Sequence, residues 1–248
     1  MFSSRIQVGR TLIFMMLFLA SALLFTGCSL PWQHSTTTAA NGTKPTAQQL
    51  LTALQKNFRG VSAFHVVMKV DNPGSVTAQQ VQIRSANGDV VMPDKVKGQA
   101  TVILSGQSVT VNLISVGGNQ FITDPITGQW RVIKGLLDPR ALTNPDTGIL
   151  SLINKAQNVS QPSDDTVNGV PCWRVTGQLN ARYLAFITGG GTPAGSMLQM
   201  STCIGKADSL PYQFKAMGQA AAGDTAKTTR TFLLSNYNEN VSIAAPQI

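Results

Sequence analysis

The fold is decided by the stretch Ala63-Phe-His-Val-Val-Met-Lys-Val70, in which large apolar side chains recur at every second position. In a β-strand, alternate residues point to opposite faces. One face would carry Phe64, Val66, Met68 and Val70. His65 and Lys69 would lie on the other face. The stretch therefore predicts a strand with one apolar and one polar face, the building unit of an antiparallel sheet.

A helix is predicted directly before this strand. Thr46-Ala-Gln-Gln49 fits a capping box, in which the first and last residues satisfy each other's backbone N–H groups. Apolar residues then follow at helical spacing: Leu50, Leu51, Leu54 and Phe58. We predict a helix over 46–58 that ends at Gly60.

Strands also dominate the rest of the chain. Alternating segments between turn residues predict strands over 80–91, 95–105, 108–116, 119–123, 129–133, 158–167, 170–179, 196–205, 210–219 and 227–237. Helices are predicted over 145–156 and 181–187, followed by a flexible Gly189-Gly-Gly191 loop. The sum is an α+β fold built on one large antiparallel sheet.

The first 28 residues predict export. Arg5 and Arg10 are their only charges, and an apolar run from Thr11 to Phe25 follows. This run is shorter than the roughly 20 apolar residues of a spanning helix, and it is typical of a secretory signal. Thr26-Gly27-Cys28 then resembles the lipobox of bacterial lipoproteins, although Phe25 stands where leucine is usual.

That resemblance implies cleavage after residue 27 and a diacylglycerol on the Cys28 sulfur. The alternative is an ordinary secretory signal, or an uncleaved anchor that contains a cysteine. Residues 28–45 are mostly small and polar, cannot form a core, and are predicted to be a flexible tether. We therefore predict a signal peptide over 1–27, a lipidated tether over 28–45 and a soluble domain over 46–248. The protein would sit on the extracytoplasmic face of the cell membrane.

Composition agrees with a folded domain beside a membrane. Hydrophobic residues make up 43% of the chain and charged residues 12%, with a formal net charge of +8. Removing Arg5 and Arg10 with the signal leaves a mild positive excess, which favours anionic membrane surfaces. Nucleic acid is excluded as a partner because the basic residues are scattered and the signal directs export.

One longer segment resembles a known family. Asp138-Pro-Arg-Ala-Leu-Thr-Asn-Pro-Asp-Thr-Gly-Ile-Leu-Ser-Leu-Ile153 is similar to a stretch of the LppX/LprG family of lipid-carrying lipoproteins. The order of other elements agrees, including Gln129-Trp130 before it and Thr166-Val-Asn-Gly169 after it. The resemblance implies a single strongly curved antiparallel sheet, the LolA/LolB half-barrel, with helices packed on its concave face.

The resemblance also implies an apolar cavity that holds the acyl chains of a lipid or glycolipid. An exposed methylene costs about 0.8 kcal/mol in water, so a carrier needs a long apolar surface. The candidate lining residues are Phe64, Val66, Met68, Val102, Leu104, Val111, Leu113, Ile149, Leu152, Ile153, Trp173, Val175, Leu198, Met200 and Ile204. The alternative is that all these side chains fill a closed core.

Two further cysteines are predicted to pair. Cys172 and Cys203 fall on the polar faces of two strands that could be neighbours, and export permits disulfides. We predict a Cys172–Cys203 disulfide, with two free thiols as the alternative. A metal site is not predicted, because no His or further Cys stands at ligand spacing.

No enzyme motif is present in the sequence. A Ser-His-Asp arrangement would have to use His65, since His34 lies in the tether. There is no HExxH, P-loop or GxGxxG motif, and no cofactor is predicted. The first hypothesis is a membrane-anchored lipid carrier, for which an envelope transporter is a candidate partner. The second is a structural or signalling lipoprotein of the same fold that binds a protein, and an enzyme ranks third.

Overall fold

Strands make up most of the protein in the computed structural model, which describes residues 44–77, 81–134, 143–144, 148, 151–188 and 191–248. They are β1 Ala63–Asp71, β2 Gln82–Val91, β3 Lys95–Leu104, β4 Gln107–Val116, β5 Asn119–Thr123, β6 Trp130–Ile133, β7 Ser163–Val167, β8 Val170–Asn180, β9 Met197–Gly205, β10 Pro211–Met217 and β11 Thr229–Ser235. All belong to one antiparallel sheet in the order β6-β5-β4-β3-β2-β1-β11-β10-β9-β8-β7. Within the described residues β6 and β7 are its edges, so the sheet is open.

Few helices accompany the sheet. They are α1 Ala47–Phe58, α2 Ser151–Asn154, a 3₁₀ turn Ala181–Leu184 and α3 Ala185–Thr188. The predicted capping box opens α1: Gln49 N donates to Thr46 Oγ1 at 3.2 Å, and Thr46 N donates to Gln49 Oε1 at 2.8 Å. The apolar side of α1 is buried in the main core, so the α+β fold expected from the sequence is confirmed.

Two elements differ from the prediction by more than one or two residues at an end. The strand predicted over 158–167 begins only at Ser163. Asn158 has a φ of 52°, which is not extended backbone, and Pro162 has no N–H to donate to a ladder. Before that point the segment touches β8 through an isolated bridge between Gln157 and Gln178. Of the helix predicted over 145–156, the described part is α2, and positions 145–147, 149 and 150 lie outside the described residues.

The antiparallel order places the connections at two ends of the sheet. One end carries the β1–β2, β3–β4, β5–β6, β8–β9 and β10–β11 connections. We call it the Ile126 end, after a residue of the β5–β6 turn. The opposite end carries the β2–β3, β4–β5, β7–β8 and β9–β10 connections, and we call it the Asp94 end.

The chain divides into two units, Met1–Gly42 and Thr43–Ile248. The second unit contains the whole sheet, a disulfide and a core cluster built from α1, α2, β1 and β8–β11. A unit with its own core is expected to fold without the residues that precede it. Among the described residues, no helix is long and apolar enough to cross a bilayer.

Candidate functional site

An apolar cavity of about 790 Å³ lies against the inner face of β1–β6 and β11. Its apolar lining consists of Phe64, Val66, Met68, Val70, Val76, Val81, Ile83, Ala86, Val96, Ala100, Val102, Leu104, Val109, Val111, Leu113, Ile122, Pro125, Ile133, Ile187, Ala221, Ala222, Phe232 and Leu234. The strands β6-β5-β4-β3-β2-β1-β11 are consecutive in the sheet, and side chains of both outer members, β6 and β11, border the same space. This part of the sheet is therefore curved around the cavity. The volume falls within the range of pockets that hold small organic ligands.

Small residues in the middle of the sheet create the space. One cross-strand row reads Met68, Ala86, Ala100, Val111, and the next reads Val66, Gly88, Gly98, Leu113. In both rows the two central positions, on β2 and β3, carry a methyl group or only hydrogen. At Gly88 nothing larger fits without a shift, because a Cβ there would lie 2.5 Å from the Lys97 carbonyl oxygen.

We call the small residues Ala86, Gly88, Gly98 and Ala100 the cavity floor. Large apolar side chains around this floor are only partly covered by other protein groups. Val102, Val109 and Leu113 are half-buried although they face inward, and Leu104 is 41% exposed. Burying apolar surface is favourable by roughly 25 cal/mol per Å². The inner face of β2–β6 therefore presents apolar area that an apolar ligand would cover.

Both arginines that border the cavity are paired with an aspartate. Arg230, 6% exposed, donates from Nη1 and Nη2 to Asp224 Oδ2 and Oδ1 at 2.6 and 2.9 Å. Asp224 Oδ2 also accepts from the backbone N–H groups of Ala220 and Ala221, each at 2.8 Å. This bidentate pair neutralises the arginine and ties the β10–β11 connection to β11.

The second arginine, Arg131, pairs with Asp124 in the β5–β6 turn. With both guanidinium groups balanced, the lining carries no uncompensated arginine charge. Such a lining suits acyl chains better than a phosphate or carboxylate, because an unpaired charge in an apolar space is costly.

One buried polar atom of the lining lacks a partner. Gln82 is 5% exposed, and its Nε2 donates weakly to the Gly74 carbonyl at 3.4 Å. Its Oε1 has no hydrogen-bond partner in the described structure. That amide oxygen is therefore an unsatisfied acceptor in a residue that borders the cavity.

The sequence-predicted lining residues separate into two groups. Those that border the cavity are Phe64, Val66, Met68, Val102, Leu104, Val111 and Leu113. Those that do not border it are Leu152, Ile153, Trp173, Val175, Leu198, Met200 and Ile204. The second group packs in or against the main core, because α1, α2 and the 3₁₀ turn fill the inner face of β8–β10. Ile149 and the lipidation candidate Cys28 lie outside the described residues.

The prediction missed lining residues that obey the same alternation. Val70 shares the face of Met68, and Phe232 and Leu234 lie opposite Met68 and Val66 on β11. The alternation of β1 contained the signal for Val70. The contribution of β11 depended on its pairing with β1, across more than half the chain, which local sequence does not reveal.

The two cysteines are joined by a disulfide, with Cα atoms 5.6 Å apart. They lie on the outer face of β8 and β9, as the alternation predicted. Although this is the polar face of the two strands, both cysteines are fully buried. They pack with Val167, and Tyr212 and Leu233 cover the cluster.

The described residues around His65 do not form the hydrogen-bonded Ser-His-Asp arrangement considered in the sequence analysis. Its Nδ1 lies 2.7 Å from Asp89 Oδ1 on β2, and Ser235 is its neighbour on β11. No hydrogen bond joins His65 to Ser235 in the described structure, and the row lies on the outer face away from the cavity. The described residues also contain no group of His, Cys, Asp and Glu that could hold a metal ion.

Comparison with known proteins identifies the family. The model of the LppX_LprAFG lipoproteins matches residues 46–243. The chain belongs to the LppX_LprAFG lipoprotein family. The resemblance noted in the sequence is thereby confirmed, and it extends over the whole sheet.

Relatives within the LppX_LprAFG family agree in length and fold. The lipoarabinomannan carrier protein LprG of Mycobacterium tuberculosis is 21% identical over 235 residues, covering 92% of each chain. The crystal structure of LprF from Mycobacterium bovis has a TM-score of 0.64 at 18% identity, covering 81% of this chain and 96% of LprF. The structure of LppX from Mycobacterium tuberculosis has a TM-score of 0.57 at 17% identity, covering 80% and 98%. At these identities the structures show a shared fold.

Proposed function

We propose that this protein is a membrane-anchored, extracytoplasmic lipoprotein that binds the acyl chains of a lipid or glycolipid in its cavity and carries it within the cell envelope. The observation that carries the proposal is the 790 Å³ cavity with an apolar, charge-balanced lining. The name of the relative LprG, a lipoarabinomannan carrier, supports the same class of ligand.

The energetics favour exchange with a membrane. A chain of sixteen carbons gains roughly 12 kcal/mol on leaving water, at about 0.8 kcal/mol per methylene. A bilayer offers the same chain a similar gain, so transfer between bilayer and cavity is nearly balanced. A carrier of this kind can therefore load and release its ligand with little net change in free energy.

The head group is expected to remain near the cavity opening. The two bordering arginines are balanced by Asp224 and Asp124, so neither offers an unpaired charge to draw an anionic head inward. Gln82 borders the cavity and its buried Oε1 lacks a partner, so a rotation of the side chain would offer one acceptor to a glycerol or sugar hydroxyl. The membrane anchor would be the acylated Cys28, joined to the domain by the polar tether.

The test is a cavity-filling substitution in the Thr43–Ile248 unit. Ala100→Trp places an indole between Ala86 and Val111, in the middle of the cavity floor. Protein made in bacteria would be analysed by native mass spectrometry and organic extraction. We expect about one diacyl or triacyl lipid per wild-type molecule, and at least a tenfold lower occupancy in Ala100→Trp.

Thr110→Trp is the matched control. Thr110 is exposed on the outer face of β4 and pairs with Thr101, so the same indole there would not enter the cavity. Its lipid content should equal that of the wild type. A wild-type unit that purifies without lipid and ignores added lipid would overturn the proposal. The hypothesis of a protein-binding lipoprotein would then take its place.

A further inference from the structure

Exposed apolar side chains are concentrated at one end of the sheet. Val81, Leu104, Ile126, Met197 and Met217 are each at least 40% exposed, and all lie in or beside connections of the Ile126 end. The described connections of the Asp94 end carry no large exposed apolar side chain, although Ile248, 76% exposed, lies in the segment that follows β11. Single exposed apolar residues are normal on a protein surface, whereas a large exposed apolar patch marks a contact surface.

Part of the cavity lining lies at this same end. Val81 and Leu104 belong both to the cavity lining and to the exposed set. Pro125, in the β5–β6 turn, also borders the cavity and immediately precedes Ile126. Val81, Leu104 and Pro125 therefore form the rim of the cavity at this end, whereas Met197 and Met217 lie outside the lining, on β9 and β10.

Ile126 is held out from this rim by a rigid turn. Asp124 Oδ1 accepts from the N–H groups of Ile126 and Thr127 at 2.8 and 2.9 Å, and the Asp124 carbonyl accepts from Gly128 N at 2.9 Å. Ile126 is nevertheless 92% exposed. The hydrogen bonds of the turn thus fix its backbone, while the Ile126 side chain packs against little of the protein. Such a side chain is suited to burial in a partner outside the protein.

Cations surround this end without acidic partners. Arg84 in β2, Arg182 in the 3₁₀ turn and Lys227 in the β10–β11 connection form no ion pair among the described residues. Asp71, Asp124 and Asp224 also lie at this end, but they are paired with Lys69, Arg131 and Arg230. Among the described residues, Arg84, Arg182 and Lys227 therefore give this end a net positive charge. Apolar side chains flanked by unpaired cations fit the boundary between head groups and acyl chains in an anionic bilayer.

We propose that the Ile126 end docks on an anionic membrane surface, so that lipid passes between bilayer and cavity without crossing water. Ile126 and Leu104 would insert at the level of the head groups, while Arg84 and Lys227 contact lipid phosphates. This inference rests on the proposed function for its purpose, but the docking itself can be measured separately.

The test is vesicle binding by the Thr43–Ile248 unit. Wild type, Ile126→Asp and Arg84→Gln/Lys227→Gln would be sedimented with vesicles of phosphatidylcholine and phosphatidylglycerol, and with phosphatidylcholine alone. We expect Ile126→Asp to lower the partition coefficient about tenfold, because insertion scales with buried apolar area. The double charge variant should lose roughly fivefold per charge on the anionic vesicles only.

Val132→Asp is the matched control. Val132 is 57% exposed on β6, opposite to the face of the cavity-lining Arg131 and Ile133, so its substitution should leave vesicle binding unchanged. Equal losses in Ile126→Asp and Val132→Asp would overturn docking at this end. Binding that ignores the anionic lipid would do the same, and would direct attention to a protein partner.

A second readout separates docking from ligand binding. A fluorescent fatty acid added from solution should bind wild type and Ile126→Asp equally, since Ile126 does not line the cavity. Its rate of transfer from vesicles should fall in Ile126→Asp. If the wild type binds no fatty acid, the proposed function fails whatever the vesicles show. If it binds the acid but Ile126→Asp transfers it at the wild-type rate, docking fails alone.

Discussion

The two halves of the sheet have the same alternating sequence pattern but different interiors. On β8–β10 the inward side chains meet α1, α2 and the 3₁₀ turn, and residues such as Val175, Leu179 and Leu198 are fully buried. On β2–β6 the inward side chains border the cavity, and Val102, Val109 and Leu113 remain half-buried. We call these the closed half and the open half.

The difference shows that alternation predicts which way a side chain points, and not what it meets there. In the closed half, helices supply the opposite layer that an apolar sheet face requires. In the open half, small residues on β2 and β3 enlarge the space next to the sheet. In the open half, a bound ligand would form the layer opposite the sheet that helices form in the closed half.

The largest expected effect contrasts one leucine from each half. Leu179→Ala removes a fully buried side chain from the closed half and should lower the free energy of unfolding by about 2–5 kcal/mol. Leu113→Ala removes a half-buried side chain that borders an existing cavity, so about 1 kcal/mol or less is expected. Urea unfolding of the two variants measures both values.

For the amount of bound lipid the order is reversed: Leu113→Ala should lower it more than Leu179→Ala. Leu113→Ala alters the ligand surface, whereas Leu179→Ala lies outside the cavity lining. Should the two substitutions cost the same stability in lipid-free protein, the distinction between an open and a closed half would be lost.

The disulfide sharpens the comparison because it braces the closed half alone. Cys172 and Cys203 are separated by 31 positions, and the chain-entropy model assigns such a loop about 3–4 kcal/mol. Replacing both by alanine should lower the free energy of unfolding by about that amount. Lipid binding at a temperature where the variant is folded should not change.

The comparison with reduced wild-type protein tests the cause. Reduction should destabilise the wild type by a similar amount and leave the double alanine variant unaffected. A double variant as stable as the oxidised wild type would show that the bond contributes little to this half.

The sequence was sufficient to predict the strands and the direction of their side chains. The predicted strand over 119–123 matches β5, and the capping box of α1 forms with both of its hydrogen bonds. These features depend on neighbours within a few residues, so local pattern and turn chemistry determine them. The pairing of Cys172 with Cys203 was also predictable, because the outer faces of adjacent strands bring them together.

The limits of the cavity were not predictable in the same way. Trp173 was expected to line it, yet its ring lies under Lys206, whose Nζ is 4.2 Å from the ring centroid. Ala86 and Ala100 were not expected to matter, although they form the cavity floor. Both outcomes depend on which elements pack across the sheet, a long-range property that strand periodicity does not contain.

The smallest expected effect concerns pH and the edge strand β7, which pairs with β8 of the closed half. The Thr166 N–H and the Arg174 guanidinium, whose Nε lies 2.6 Å from Asp165 Oδ2, hold the pKa of Asp165 below its usual value of 3.8. A folded-state pKa below the unfolded one stabilises the protein above about pH 4, and this contribution is lost as pH falls through the folded value. Asp165 is solvent-accessible, so the effect should be small.

Asp165→Asn removes this titration and should flatten the acid side of the stability curve. Urea midpoints recorded from about pH 6 to about pH 2.5 should converge for wild type and variant as the pH falls, because the wild type alone loses the carboxylate interaction. Asp164 keeps its own lowered pKa through Lys206 and Lys44 in both proteins, so it cancels from the difference. Parallel curves would mean that the Asp165–Arg174 contact does not stabilise β7, and that the closed half depends on its buried core and disulfide alone.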